Sequence, residues 1–372
     1  MSSSINIRPY RPDDKQAVFR LLSSFYASMS TEAEWRHLYM ENPYGNAVIS
    51  LAEKIPEKVI VGHYSVIKIP MTIFGKKITG GKGEGEIFDL QAIKKMLSEG
   101  NFIAKDISKR LLVQVMEGAK REGIEIVCTN PSDLALKSHL ESGYKEVRHN
   151  FDIFVFPLKM KYIYHLLDKK IHAPFLSKLL SLALFPVFRF THTFLKHKKD
   201  DVHFEQINSF DETSDMFIEK FLSAFDIITI DRNQKHLNWR FRNTEYLKFI
   251  IRSGGKNIGY AVLHIFKNPN GFMEANLADY LFLPDHWDKF SAAVGKAIRI
   301  AKDTGCDFLR INHMYDFKER FGVSRSLKNL LFLGRPDRRN IVVFVSEGLK
   351  ELENSMLNAD NWYFTDLYFE GY

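Results

Sequence analysis

The chemistry-bearing residues of this chain are few and fall in short runs. Glu84, Glu86 and Asp89 lie within the segment EGEIFDL, residues 84–90. If that segment is a strand, alternation puts Glu84, Glu86 and Phe88 on one face and Gly85, Ile87 and Asp89 on the other. A carboxyl held in an apolar setting has its pKa raised toward the range of a general acid or base, whereas one on a wetted face stays an ordinary surface charge. Asp89, between Phe88 and Leu90, has the more apolar neighbours, and Glu84 and Glu86 read equally well as a solvated strand face. His139 offers an imidazole of ordinary pKa about 6.5, suited to proton transfer, or a plain helix-surface residue. The glycine-rich run Gly75–Gly85, GKKITGGKGEG, has the look of a phosphate cradle. It lacks the Gly-Lys-Ser/Thr ending and lies between strands, so it reads as a hairpin turn that could border an acceptor. His192 and His197 have no third ligand at metal spacing, and no metal site is expected. Cys128, inside an apolar strand, and Cys306, at a strand start, read as core residues.

The elements that must position these groups come from a chain of 372 residues, 45% hydrophobic and 26% charged, which excludes wholesale disorder. Two cysteines exclude a disulfide scaffold and a four-cysteine zinc site, and a reducing, cytoplasmic setting is expected. Residues 1–30 are polar, so no signal peptide is expected, and no run of about 18 apolar residues exists. Internal repetition is the most informative feature. Leu112–Asn130, LVQVMEGAKREGIEIVCTN, aligns without a gap with Val294–Asn312, VGKAIRIAKDTGCDFLRIN, matching Gly123 to Gly305 and Asn130 to Asn312. The shared pattern is an amphipathic helix, a glycine stop and an apolar strand ending in Asn. Upstream, Val61-Gly62-His63-Tyr64 echoes Ile258-Gly259-Tyr260-Ala261, each in a strand after a charged turn, and Trp35-Arg36 echoes Trp239-Arg240, each reading as a helix anchor against a sheet. Three echoes in one order indicate a duplicated domain.

A first domain is therefore expected over 1–157, a connector over 158–200 and a second domain over 201–372. In the first, strands are expected at Ile5–Arg11, Val48–Glu53, Val59–Ile69, Gly85–Ile93 and Ile124–Thr129, with a final strand pair around Tyr144–Phe156. Helices are expected at Asp13–Met29, Glu32–Met40, Lys105–Glu122 and Leu134–Glu141. This order is an α+β arrangement: two tandem domains, each a mixed, mostly antiparallel sheet flanked by helices.

The strand VIVGHYSVI (59–67), the strand EIFDLQAI (86–93), the helix ISKRLLVQVMEGAKREG (107–123), the strand IEIVCTN (124–130) and SHLESGYKEV (138–147) together resemble the GCN5-related N-acetyltransferase superfamily. With HLNWRFRN (236–243), NIGYAVL (257–263) and NWYFTDLYFEGY (361–372), the chain resembles its tandem two-domain members from bacterial surface-polysaccharide loci. The resemblance implies an acyl-CoA donor whose pantetheine arm pairs with strand backbone over Leu90, Gln91, Ala92 and Ile93. It implies that the pyrophosphate rests at the start of the following helix, where backbone N–H groups and the dipole favour anions. The family's loop Arg/Gln-x-x-Gly-x-Gly/Ala falls on Ile103-Ala104-Lys105-Asp106-Ile107-Ser108, ahead of Lys109 and Leu111-Leu112. Asp106 and Ser108 replace the two glycines, and the Asp106 charge repels a diphosphate that Lys105 and Lys109 would attract. The resemblance further implies Asp89 or Glu86 as the base for an amine acceptor. His139 takes the place of the family's thiolate-protonating Tyr, ahead of Gly143-Tyr144. In the second domain, Pro284-Asp285-His286-Trp287-Asp288 precedes the matching helix without a glycine loop, and loss of coenzyme binding is expected there.

The implied activity is acyl transfer to an amine, an amino sugar of a surface glycan. The alternatives are a non-catalytic binding or scaffold module, which the altered loop favours, and a tRNA-dependent aminoacyl transferase. Nucleic acid is otherwise not an expected partner, because the charge is local. Residues 159–199 hold eight Lys and one Arg against one Asp, +8, in a chain of net charge +7, so the remainder sums to −1. Within that connector lies the apolar run Phe175–Phe185, followed by Pro186, which breaks or kinks a helix. It reads as an interfacial helix resting on anionic lipid at the inner face of a membrane, or as helices packed between domains with a solvated basic face.

Overall fold

The computed structural model describes residues 4–25, 31–98, 106–149, 151–197, 201–314, 321–337 and 339–368. The first half runs β1 (Ser4–Pro9), α1 (Lys15–Ser23), α2 (Glu32–Tyr39), β2 (Val48–Ile55), β3 (Val59–Ile73), β4 (Lys76–Phe88), α3 (Leu90–Ser98), α4 (Ile107–Arg121), β5 (Ile126–Thr129), α5 (Asp133–Glu141), β6 (Lys145–Glu146) and β7 (Phe151–Pro157). Two connecting helices follow, α6 (Met160–Ile171) and α7 (Pro174–His197). The second half runs β8 (His203–Ile207), α8 (Glu212–Ala224), β9 (Ile228–Ile230), α9 (Gln234–Arg240), β10 (Tyr246–Ser253), β11 (Lys256–Lys267), β12 (Met273–Phe282), α10 (Phe290–Asp303), β13 (Phe308–Met314), α11 (Val323–Asn329), β14 (Leu333–Asp337) and β15 (Val342–Val345).

Two sheets result, ordered β1-β2-β3-β4-β5-β15-β6 and β14-β7-β13-β12-β11-β10-β8, with β9 added at the far end of β3. The architecture is α+β, with two tandem halves built on mixed sheets flanked by helices. Neighbouring strands are antiparallel except β4/β5 and β12/β13, which sit at the same place in each half. Their registers match: Gly80, Gly81 and Lys82 pair with Ile126, Val127 and Cys128, and Glu274, Ala275 and Asn276 pair with Phe308, Leu309 and Arg310. The duplicated helix–glycine–strand unit is α4–Gly123–β5 and α10–Gly305–β13, and both glycines adopt positive φ, +71° and +79°. The left-handed conformation needed to leave the helix is why glycine stands there.

The boundary expected at 157 does not divide the two sheets. β7, expected beside β6 in the first domain, instead pairs with β13 and β14 in the second sheet, while β15 from the second half pairs with β5 and β6 in the first. One apolar cluster consequently runs through both halves, joining Ile69, Met71, Ile126 and Cys128 to Phe217, Phe221 and Ile228. The halves also meet at the two Trp-Arg helices: Trp239 Nε1 donates to His37 O at 3.2 Å, and His37 Nε2 lies 3.0 Å from Trp239 O.

Two local expectations fail for physical reasons. The glycine-rich run begins in the hairpin turn at Gly75, but from Lys76 on it is the body of β4, because Gly80, Gly81 and Gly83 lie beneath side chains of adjacent strands. A Cβ at Gly80 would stand 2.3 Å from Met71 Sδ, and one at Gly81 would stand 2.4 Å from Val66 Cγ1. The strand expected to reach Ile93 stops at Phe88, and α3 begins at Leu90 because Asp89 caps it. The Asp89 carboxylate accepts from the backbone N–H of Gln91 (3.1 Å) and Ala92 (2.9 Å), a contribution of about 1 kcal/mol.

Candidate active site

The strands β4 and β5 stay paired for three residues and then part. Beyond Lys82 and Cys128 no ladder joins them, and a cleft of about 400 Å³ opens between them. One wall is Lys82–Glu86 of β4; the other is Thr129–Ser132 with Ala135 and His139 of α5, and Tyr64 of β3 reaches in from the neighbouring strand. Past the fork β4 has β3 on one side and the cleft on the other; the Gly83 carbonyl accepts from Thr129 Oγ1 across the cleft at 3.1 Å, and the Glu84 carbonyl accepts from Ser65 of β3 at 2.8 Å, but no strand pairs with this edge.

A β-bulge shapes this wall. On β3, His63 pairs with Ile87 and Ser65 with Glu84, leaving Tyr64 opposite both Gly85 and Glu86. Gly85 sits at φ +68°, the left-handed conformation a bulge requires and glycine tolerates. Buried His63 fixes it by donating from Nδ1 to Gly85 O at 2.7 Å. Burial pushes the His63 pKa down to about 4, so the ring is neutral and its one ring proton is spent on the bulge.

The bulge brings Glu86 to the cleft together with Ser108, Tyr64 and His139. Ser108, in the first turn of α4, donates its hydroxyl to the Glu86 carboxylate. Burial raises the Glu86 pKa, and the Ser108 hydroxyl opposes that shift by stabilising the anion. His139 Nδ1 lies 3.1 Å from Ala135 O and 3.7 Å from Glu86 Oε2. The nitrogen facing a carbonyl must carry the proton, so Nε2 is the lone-pair side, and it has no partner among the described residues. Burial lowers the His139 pKa, outweighing the Ala135 carbonyl, which favours the charged ring. His139 is buried, not the helix-surface residue its position in sequence allows. Its ring meets those of Tyr64 and Tyr144 edge-on, with centroids 5.7 Å and 5.1 Å apart. Tyr64 Oη lies 3.4 Å from Tyr144 Oη, and burial raises the Tyr64 pKa well above the ordinary phenol value, so it keeps its proton.

The structure thus gathers Glu86, His139 and Ser108 and leaves Asp89 out. Asp89 is corrected from catalytic candidate to helix cap. Leu90, Gln91, Ala92 and Ile93 are corrected from strand to the first turn of α3, where their backbone is committed to the helix and cannot pair with a pantetheine arm. Asp106 is exposed and does not line the cleft; Ile107, the first residue of α4, is buried in the core; Lys109 is exposed. Lys105 lies outside the described residues. Sequence reasoning missed Tyr64 as a site residue, although it stands in the repeated Val-Gly-His-Tyr echo. It also missed the backbone of Gly83–Glu86, whose glycines were read as a turn. Cys128 is buried in the core, its thiol pushed up to about 12 by burial.

The matching cleft of the second half is filled by the chain itself. Past Asn276 and Arg310 the strands β12 and β13 part in the same way. The carboxylate of Asp366 lies between them, accepting from Asn276 Nδ2 (2.5 Å) and Asn312 Nδ2 (2.6 Å). By register and repeat these two correspond to Lys82 and Asn130, both of which line the open cleft. Thr365 donates to Asp279 at 2.6 Å, Tyr363 donates to Tyr280 O, and Arg232 spans Asp279, Thr229 and Thr365, all in the buried interior.

No protein-family model matches the chain, and no curated protein matches its sequence. Solved structures do match its fold. A GCN5-related N-acetyltransferase from Anabaena variabilis ATCC 29413 is 11% identical with a TM-score of 0.58, covering 94% of this chain and 75% of its own. A protein of unknown function and probable N-acyltransferase from Enterococcus faecalis V583 is 8% identical at 0.59, with the same coverage. N-myristoyltransferase of Saccharomyces cerevisiae, solved with bound myristoyl-CoA, is 12% identical at 0.54, covering 92% of this chain and 79% of its own. The chain therefore has the fold these N-acyltransferase structures share, across nearly its whole length.

Proposed function

We infer that the chain is an acyl-CoA-dependent N-acyltransferase that works through its first half. The observation that carries this reading is the open fork between β4 and β5, where no strand pairs with β4 past Lys82 and a carboxylate of raised pKa stands beside the gap. The pantetheine arm lies along Gly83–Gly85, taking the place of the Thr129 hydroxyl at Gly83 O, instead of along the Leu90–Ile93 segment. The diphosphate faces the N-terminal turn of α4, which the Ser108 hydroxyl ties to Glu86 of the cleft wall. Lys109 and Lys105 are retained as candidates to hold it, and Asp106, turned to solvent, leaves room for it.

Glu86 takes the proton from the attacking ammonium or amine. The amine nitrogen then forms a bond to the thioester carbonyl carbon, the C–S bond breaks, and the coenzyme thiolate receives a proton. Tyr64, which keeps its phenolic proton, is the donor, and Glu86 afterwards gives up its proton to solvent as the phenol regains one; neutral His139, its ring edge-on to Tyr64 and Tyr144, holds the phenol in place. An amino sugar of a surface glycan is the proposed acceptor class, on the strength of the sequence resemblance. The second half contributes structure rather than a second site, since its fork holds Asp366. A non-catalytic module would be favoured by a sealed first fork, which is not what the chain has. The test is release of coenzyme thiol, followed spectrophotometrically, from acetyl-CoA with amino-sugar and simple amine acceptors. Release that needs both acceptor and Glu86 supports the reading; no release with any acyl-CoA and amine pair overturns it.

A further inference from the structure

The helix α7 is built inside out. A surface helix normally turns its apolar stripe inward, yet here Ser177 and Ser181 are fully buried while Phe175 is 77% exposed, Leu182 50% and Leu179 49%. Placed on a helical wheel, Phe175, Leu176, Leu179, Leu180, Leu182 and Val187 occupy an outward arc of about 160° that contains no charged residue. Ser177, Ser181 and Phe188 lie together on the opposite side, against the rest of the protein. The helix continues through Pro186, contrary to the break its ring favours, and the proline itself is exposed.

The arc needs an occupant, and its surroundings select one. Lys178 and Arg189 flank it on α7, and Lys169 and Lys170 stand exposed at the end of α6. Lys159 and Lys161 are paired with Asp307 at 3.1 and 2.7 Å. Beside α7 opens a cavity of about 240 Å³ walled by Phe156, Phe185 and Phe188 with Arg189 and Lys302 at its edge, apolar depth beside cations. A second copy of the chain meeting this face would set one +8 segment against another, which is repulsive. An anionic bilayer surface matches both the apolar arc and the positive rim. Among the described residues no helix is long and apolar enough to cross a membrane, so the match is to its surface.

We propose that α7 lies in the interface of an anionic lipid bilayer, its outward arc among the acyl chains and its basic flanks at the phosphates. The proposal does not rest on acyl transfer. The full chain is to be sedimented with vesicles of phosphatidylcholine containing phosphatidylglycerol and with vesicles of phosphatidylcholine alone, alongside the double variant Leu179→Glu/Leu182→Glu and the variant Lys178→Glu. Both leucines are exposed, and unchanged circular dichroism and melting confirm that the variants fold. The expected result is binding to the anionic vesicles, at least tenfold weaker for the double leucine variant, and weakened by Lys178→Glu and by salt. Absence of binding to anionic vesicles overturns the proposal. So does a wild-type dimer in light scattering that the leucine variant dissolves, since the arc would then belong to a second copy.

Discussion

Gly83 offers the sharpest probe of the cleft wall. A Cβ there would stand 2.1 Å from Tyr64 Oη, 2.9 Å from Thr129 Cβ and 3.1 Å from Tyr64 Cζ. For Gly83→Ala to reach ordinary contact, Oη must retreat by about 1.3 Å, and the ring has little room because it is 1% exposed and braced by His139 and Tyr144. Overpacking of this size costs about 1–3 kcal/mol. It also shifts the phenol from the position where the thiolate forms, so a loss of kcat of about tenfold or more accompanies it. Tyr64→Phe removes the oxygen that clashes. Gly83→Ala introduced into the Tyr64→Phe background should therefore cost less than in the wild type, a coupling of about 1 kcal/mol or more. Urea denaturation of the four proteins measures it. If the two substitutions add without coupling, Tyr64 Oη does not lie over Gly83 and the described cleft wall is wrong.

Three further outcomes follow from the same geometry. Glu86→Gln should lower kcat by about 10²–10⁴-fold while leaving the melting temperature nearly unchanged. In the wild type, kcat/KM should fall on acidification through the raised Glu86 pKa, above its ordinary 4.5, and Glu86→Gln should lose that limb. His63 and His236, with pKa values lowered by burial to about 4 and about 3, stay neutral in the fold while the unfolded chain protonates near 6.5. Their stabilisation is full above pH 6.5 and is lost as pH falls toward 4, on the order of 3 kcal/mol for His63. Urea midpoints should drop across that window, and His63→Gln should flatten the fall. Asp366→Ala should leave Asn276 and Asn312 without their shared acceptor and cost about 3 kcal/mol in urea denaturation, with binding at the first cleft unchanged.

The duplication was legible because it is written locally. Gly123 and Gly305 end equivalent helices, and the strands after them are apolar in the same register. The exchange of β7 and β15 was not legible, since a short apolar strand carries no mark of which sheet it joins. The β4 glycines were misread for a tertiary reason: what makes glycine necessary there is Met71, Val66 and Tyr64 on the neighbouring strand. The end of β4 could have been found. Asp89 followed by Leu90, Ile93 and Met96 is a cap ahead of a helical apolar spacing. Glu86 and His139 were picked out by type and meet in the cleft. Tyr64 carries no mark of its role within its motif, because a bulge on the partner strand decides where it faces.

The central claim is that the first fork holds one acyl-CoA and the second holds none. Isothermal titration of the full chain with acetyl-CoA and longer acyl-CoAs tests it directly, alongside Gly83→Trp to fill the first fork. The account predicts one molecule bound per chain and none for Gly83→Trp. Binding of two, binding that survives Gly83→Trp, or no binding of any acyl-CoA would contradict it.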